Sequence, residues 1–310
     1  MSDSFHRRPL PPSLVALAGD EGRRLFTEAL AAGTMNGYFA VAEQFQTQAE
    51  PAYCGLTSLV IALNSLGVDP GRRWKGPWRW FSEELLDCCV PLVQVKERGV
   101  TLDEVGCLAR CNGARAEVWR ADRHDVGALR SAIEQAARGS EGPRLLVSYA
   151  RLALEQTGAG HFSPVAGYHA GRDLALVLDV ARFKYPPHWV AIERLFAATA
   201  VVDPATGRSR GWLTVTRAPL AATVALQLRC DRLSWTDVVA AVAAGQAAVA
   251  VAAAAPGGAS LASVTRAWLS GVRTLAQAVG FRDLTEAEVI ARRDAVRGEV
   301  VASRAAALAG

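Results

Sequence analysis

Cys54 closes the segment Gln46-Thr-Gln48-Ala-Glu-Pro-Ala-Tyr-Cys54, directly ahead of apolar residues at helical spacing. A thiol at a helix entrance meets free backbone N–H groups and the positive end of the helix dipole. Both favour the thiolate, so the position suits a sulfur nucleophile. Gln48, six positions upstream, falls in a turn leading into that helix. An amide there could donate to the oxyanion that forms when a thiolate attacks a carbonyl, with the backbone N–H of Cys54 as second donor.

Such a thiolate needs an acid/base partner. His161 begins the strand-like segment His161-Phe-Ser-Pro-Val-Ala-Gly-Tyr, and Asp179 ends an otherwise apolar strand beyond the turn at Gly171. A carboxylate in apolar surroundings is costly unless hydrogen-bonded. Pairing with His161 would satisfy it, fix the imidazole tautomer and stabilise the imidazolium. The order glutamine, cysteine, histidine, carboxylate is that of papain-like peptidases. Spacing alone leaves plainer readings open: a small packed thiol, a hydrogen-bonded strand histidine and a capping aspartate.

The elements that must hold these groups read as helices first and strands later. Leu56, Leu59, Val60, Leu63 and Leu66 predict an amphipathic helix after Cys54, stopped at Gly67. Residues 71–80 read as a loop with three tryptophans, Trp74, Trp78 and Trp80. A second helix is expected over 82–89. A third starts at Thr101, with Glu104 at capping-box spacing, and ends at Gly113. A fourth covers 126–138, with Gly139 as its stop. Strands are expected over 145–149, 162–168, 174–180 and 212–216, with a hairpin connection at Gly171-Arg172-Asp173. Helices followed by an antiparallel sheet give an α+β domain.

Composition changes near residue 220. Beyond it the chain is rich in Ala, Val and Arg, lacks lysine and carries one cysteine, Cys230. We read 1–220 as a catalytic domain and 221–310 as a mainly helical appendage, interrupted at Pro256-Gly257-Gly258. The apolar stretch 238–255 is mostly alanine, which suits a packed helix better than a membrane span. The net charge of +4 is dispersed, without a dense Lys/Arg run, which argues against a nucleic-acid partner. No apolar stretch follows the basic N-terminal residues, so no secretory signal is expected. The six cysteines, none in a C-x-x-C pair, then read as reduced thiols of a cytoplasmic protein.

Longer motifs carry a resemblance. The segments Phe45-Gln-Thr-Gln-Ala-Glu-Pro-Ala-Tyr-Cys54-Gly, Trp74-Lys-Gly-Pro-Trp-Arg-Trp-Phe81 and Leu86-Asp-Cys-Cys89 resemble those of phytochelatin synthases. So do Thr157-Gly-Ala-Gly-His161-Phe-Ser-Pro, Gly167-Tyr-His-Ala-Gly-Arg-Asp173 and Leu178-Asp-Val-Ala-Arg-Phe-Lys-Tyr-Pro-Pro-His-Trp189. The similarity runs from about Arg8 to Thr216.

The resemblance implies a papain-like fold with Cys54 as nucleophile, His161 as general base and acid, Asp179 as orienter and Gln48 as oxyanion donor. It implies that glutathione loses glycine to leave a γ-glutamylcysteinyl thioester, which a second glutathione or a growing phytochelatin then accepts. Heavy-metal ions, Cd²⁺ or else Zn²⁺ or Cu²⁺, would serve as activators or as metal–glutathione substrate, with no tightly bound cofactor. Arg182, Tyr185 and Gly160 are implied near the substrate. Cys88, Cys89, Cys107 and Cys111 match family positions and would bind activating metal, or would simply be core. A glutathione hydrolase shares every catalytic residue, and a thiol-based metal-binding protein without turnover is the rival from another class. The single cysteine after Cys111 departs from the cysteine-rich tail of plant members. Oligomeric state stays open, a homodimer included.

Overall fold

The computed structural model describes residues 6–218, together with Ala243 and Ala247, which are helical and exposed. The rest of the expected helical appendage, with the break at Pro256 and Cys230, lies outside the described residues. After a short strand β1 (Val15–Ala16) come five helices, α1 (Asp20–Ala31), α2 (Asn36–Glu43), α3 (Cys54–Ser65), α4 (Leu92–Arg98) and α5 (Leu102–Cys111). Strand β2 (Ala114–Arg120), helix α6 (Val126–Arg138), β3 (Arg144–Ala150), β4 (Gly160–His169), β5 (Leu174–Val177) and β6 (His188–Ala191) follow. Helix α7 (Ile192–Ala200), the small hairpin β7 (Val202–Asp203) and β8 (Arg208–Ser209), and β9 (Gly211–Arg217) complete the described chain. Seven strands pair antiparallel in the order β1-β6-β5-β4-β3-β9-β2, so helices precede an antiparallel sheet as an α+β domain requires. Among the described residues no helix is long and apolar enough to cross a membrane.

Both sheet faces are covered, and the two-residue period of a strand shows it. Along β5, Ala175 and Val177 join a core formed with Leu129 and Ile133 of α6 and Leu195 of α7. Leu174 and Leu176 face the other way, onto Leu25 of α1, Val41 of α2 and Ile61 of α3. Strand β3 is buried at every position for the same reason.

Four sequence expectations hold in detail. Helix α3 begins at Cys54, α6 spans 126–138, and the β4–β5 hairpin forms. At α5 the Thr101 hydroxyl accepts from the Glu104 N–H while the Glu104 carboxylate accepts from the Thr101 N–H, the reciprocal box that the spacing suggested.

Three need correction. Helix α3 is not amphipathic, because every residue from Gly55 to Asn64 is buried; it runs through the interior against β4. The helix expected over 82–89 is only a 3₁₀ turn, Glu83–Leu85. There the Glu83 carboxylate turns inward to accept from the Ala49 N–H (3.2 Å) and the Thr57 hydroxyl, which a helix face pointing to water would not allow. The helix forms only after Pro91, whose ring disfavours helical geometry at Val90. The strand expected to reach Val180 ends at Val177, because Asp179 bends the chain by accepting from the Ala181 N–H (2.9 Å).

Candidate active site

Three elements meet at Cys54. Helix α3 presents the thiol at its first residue, β4 supplies His161 as its second residue, and the bend after β5 supplies Asp179. Close approach of α3 to the start of α5 depends on Gly55: a Cβ there would come within 2.3 Å of Val100 and 3.2 Å of Val105. The glycine beside the cysteine is thus a packing requirement of the site.

His161 Nε2 lies 2.8 Å from Asp179 Oδ1, which leaves Nδ1 for the Cys54 thiol. The imidazole and the backbone N–H of Phe162 favour the thiolate of Cys54. Burial pushes the Cys54 thiol up, but the charge and hydrogen bond of His161, the Phe162 N–H and the Arg151 charge together hold it below its ordinary value. Burial pulls the His161 imidazole down; Asp179 and the Cys54 thiolate lift it against the opposing charge of Arg151, and the net is upward. A lowered thiol beside a raised imidazole favours the thiolate–imidazolium pair. The Tyr149 ring stands edge-on to His161, centroids 5.6 Å apart, and confines the imidazole from the β3 side.

Asp179 is fully buried. Burial alone would raise its carboxyl, yet His161 and Arg151 hold it far below the usual carboxylate range. Arg151 grips it with two bonds, Nη1 to Oδ2 at 2.8 Å and Nη2 to Oδ1 at 3.0 Å. Sequence reasoning missed Arg151. The available signal was electrostatic: a carboxylate inside an apolar sheet has acceptor sites beyond the one a histidine fills, and Arg151 follows the apolar segment ending at Tyr149-Ala150.

The remaining expected site residues fall in several places. Gln48 is buried, and its Nε2 donates to the carbonyls of Glu50 (2.8 Å) and Pro51 (2.7 Å), so both amide hydrogens brace the turn before Cys54. Its Oε1 is buried without a hydrogen-bond partner. Arg182 is exposed in the turn after Ala181, with its guanidinium over the Phe45 ring at 5.1 Å. Tyr185 is buried. Its hydroxyl accepts from the Thr157 N–H (2.9 Å), and its ring lies 5.2 Å from the Arg151 guanidinium, so it braces the site from behind. Gly160 is exposed one residue before His161, and a Cβ there would strike the Arg210 guanidinium at 2.3 Å. Arg210, also missed from sequence, is buried with Nε unpartnered and Nη2 3.5 Å from Asp203.

The four cysteines form two neighbouring pairs, with 3.9 Å between the sulfurs of Cys88 and Cys89 and likewise between those of Cys107 and Cys111 on α5. Thiolates suit soft cations, which keeps each pair a candidate for metal ligation.

The family model for phytochelatin synthase matches residues 5–212. The chain is 51% identical over 236 residues to glutathione gamma-glutamylcysteinyltransferase 1 of Triticum aestivum, covering 76% of this chain and 47% of that protein. It is 47% identical over 238 residues to glutathione gamma-glutamylcysteinyltransferase 3 of Lotus japonicus, covering 76% of this chain and 50% of the relative. The glutathione gamma-glutamylcysteinyltransferase of Schizosaccharomyces pombe is 40% identical over 238 residues, 77% of this chain and 57% of its own length. The chain thus spans about half the length of the curated relatives it matches. The matched region contains Cys54, His161 and Asp179, and on this breadth of agreement the chain belongs to the phytochelatin synthase family.

Proposed function

We propose that this protein is a glutathione γ-glutamylcysteinyltransferase, a phytochelatin synthase that works through a Cys54 thioester on a papain-like scaffold. The observation that carries the reading is the placement of His161 between the Cys54 thiol and the buried Asp179–Arg151 pair at the start of α3. The thiolate attacks the carbonyl of the Cys–Gly peptide bond in glutathione, and electrons move onto the carbonyl oxygen. The backbone N–H of Cys54, at the helix N-terminus, is aimed at that oxyanion. Gln48 joins as second donor by releasing one of its carbonyls. As the tetrahedral intermediate collapses, imidazolium Nδ1 protonates the departing glycine nitrogen, and the γ-glutamylcysteinyl group stays on sulfur. The α-amino group of a second glutathione, or of a phytochelatin, then loses its proton to Nδ1 and takes the acyl group.

Arg210 and Asp203 suit the zwitterionic end of the γ-glutamyl residue. Arg210, a buried cation with an unpartnered Nε, lies against the exposed Gly160 next to His161, and the Asp203 carboxylate is 3.5 Å from its Nη2. Arg182 offers a second, exposed guanidinium for a substrate carboxylate. Soft metal ions, Cd²⁺ first and Zn²⁺ or Cu²⁺ after it, act as thiolate complexes of the acceptor, and Cys88, Cys89, Cys107 and Cys111 are the protein's own candidate ligands. A reduced, cytoplasmic setting fits this chemistry.

The test is product analysis by mass spectrometry after incubation with glutathione, with and without Cd²⁺. We expect γ-glutamylcysteine oligomers ending in glycine, formed with Cd²⁺. Only γ-glutamylcysteine and glycine in both arms would overturn the transferase in favour of hydrolysis, and no glycine at all would overturn catalysis.

A further inference from the structure

Behind Asp179 and Arg151 the structure continues to two buried polar groups, Gln156 and His188, that neither the catalytic step nor substrate binding uses. Arg151, Gln156 and His188 are each at most 3% exposed. Arg151 Nη1, already bonded to Asp179, also donates to Gln156 Oε1 at 2.6 Å. The other end of that amide, Nε2, lies 3.5 Å from His188 Nε2. The direction of this contact follows from the far side of the ring. His188 Nδ1 is 2.9 Å from the Pro186 carbonyl, which can only accept, so Nδ1 carries the proton and Nε2 offers a lone pair. The amide of Gln156 therefore has one orientation: nitrogen to the imidazole, oxygen to the guanidinium. Arg151 is fixed on three sides, by Asp179, by Gln156 and by the Tyr185 ring.

We propose that Gln156 and His188 are positioning residues of the active site, which set the place and charge of Arg151 and through it the orientation of Asp179 and His161. The proposal rests on the reading of Cys54, His161 and Asp179 as the reacting centre. Neither residue touches the thiol. Their effect arises because a buried guanidinium shared between an amide oxygen and a carboxylate cannot swing away from either without leaving a donor unpaired. Burial keeps His188 below its ordinary value; the Pro186 carbonyl and Asp179 lift it while Arg151 and His161 press it down, and the neutral ring is the form that accepts from Gln156.

The experiment compares Gln156→Glu, Gln156→Leu, His188→Gln and His188→Leu by the pH dependence of Cys54 alkylation with iodoacetamide. Cys54→Ala serves as background, and thermal melts verify folding. The Gln156→Glu change keeps the shape of the side chain but puts a second carboxylate on Arg151. Arg151 lowers both the thiol and the imidazole, so drawing off its charge moves the alkylation profile to higher pH. In Gln156→Leu we expect kcat for glycine release to fall roughly ten- to a hundredfold with little change in KM, the mark of misplaced groups. His188→Gln, which retains an acceptor, should stay within about twofold of the parent, whereas His188→Leu should follow Gln156→Leu. Folded Gln156 variants with the parent profile and the parent kcat would overturn the proposal, as would equal losses in His188→Gln and His188→Leu. Should His188→Leu fail to fold, the isosteric Gln156→Glu decides alone. Alkylation reads the thiol without glutathione, so a shifted profile in a protein that releases no glycine upholds the positioning roles and sinks only the transferase reading.

Discussion

Replacing Cys54 by alanine is expected to reduce glycine release from glutathione by at least about a thousandfold, to the level of the uncatalysed reaction. In the proposed reaction both half-reactions pass through sulfur, and the second cannot begin without the thioester. In that reaction His161, hydrogen-bonded to Asp179, would hold a proton beside the thiolate of Cys54. Without the sulfur, the imidazole would have to activate water across the space the thiol filled. Cys54→Ser is expected to fail nearly as completely, because a hydroxyl stays protonated in a site that stabilises a thiolate. Neither change should disturb the fold: Cys54 is half-buried, and alanine removes one atom at a helix start. Glycine quantified in parallel reactions checks this, and a Cys54→Ala protein that keeps a tenth of the parent rate would refute it.

Asp179 variants should produce the other large effect, on stability and activity together. Asp179→Ala leaves the Arg151 guanidinium buried without its two charge-assisted bonds and His161 without an orienter. Breaking a buried pair by removing one partner costs about 3–5 kcal/mol. Loss of the orienter alone costs about 10⁴-fold in rate in related catalytic arrangements. Asp179→Asn keeps the shape of the side chain and removes only its charge. It no longer balances Arg151, and an amide that turns its NH2 toward the ring selects the wrong imidazole tautomer, so the same loss of about 10⁴-fold in rate is expected at a smaller cost in stability. The sign of the pH dependence follows from the depressed carboxyl. A group with a folded value below its unfolded one contributes stability above the unfolded value, about 4, and loses that contribution as pH falls toward the folded value. The parent should therefore lose stability below about pH 5, and Asp179→Asn, less stable at neutrality, should lose less over that range. Denaturant midpoints at pH 7 and pH 4 measure it; parallel acid losses in parent and variant would contradict the role given to Asp179.

How much of this was legible in the sequence depends on whether the information was local. The start of α3 at Cys54 and the Thr101–Glu104 box rest on short-range patterns, and both formed as read. The burial of α3 on all sides was not local, because it depends on strands and helices far along the chain. The failure over 82–89 has the same origin, since Glu83 binds groups at Ala49 and Thr57 that no window around residue 83 contains. Strand β6 and helix α7, packed against the sheet, also went unread, as did α1 and α2 before the nucleophile. At the site, Cys54, His161 and Asp179 were singled out because each residue type is chemically conspicuous, and the structure brings them together. Arg151, Gln156 and His188 were not found. They matter through one another, and their partners lie as many as 32 residues away.

Intact-protein mass spectrometry of the enzyme mixed with glutathione and quenched in acid within the first turnovers tests the central claim most directly. One added γ-glutamylcysteinyl group is expected on the parent, released by hydroxylamine as a thioester would be, mapped to the Cys54 peptide and missing from Cys54→Ala. Glycine release without any adduct, or an adduct that persists in Cys54→Ala, would contradict it.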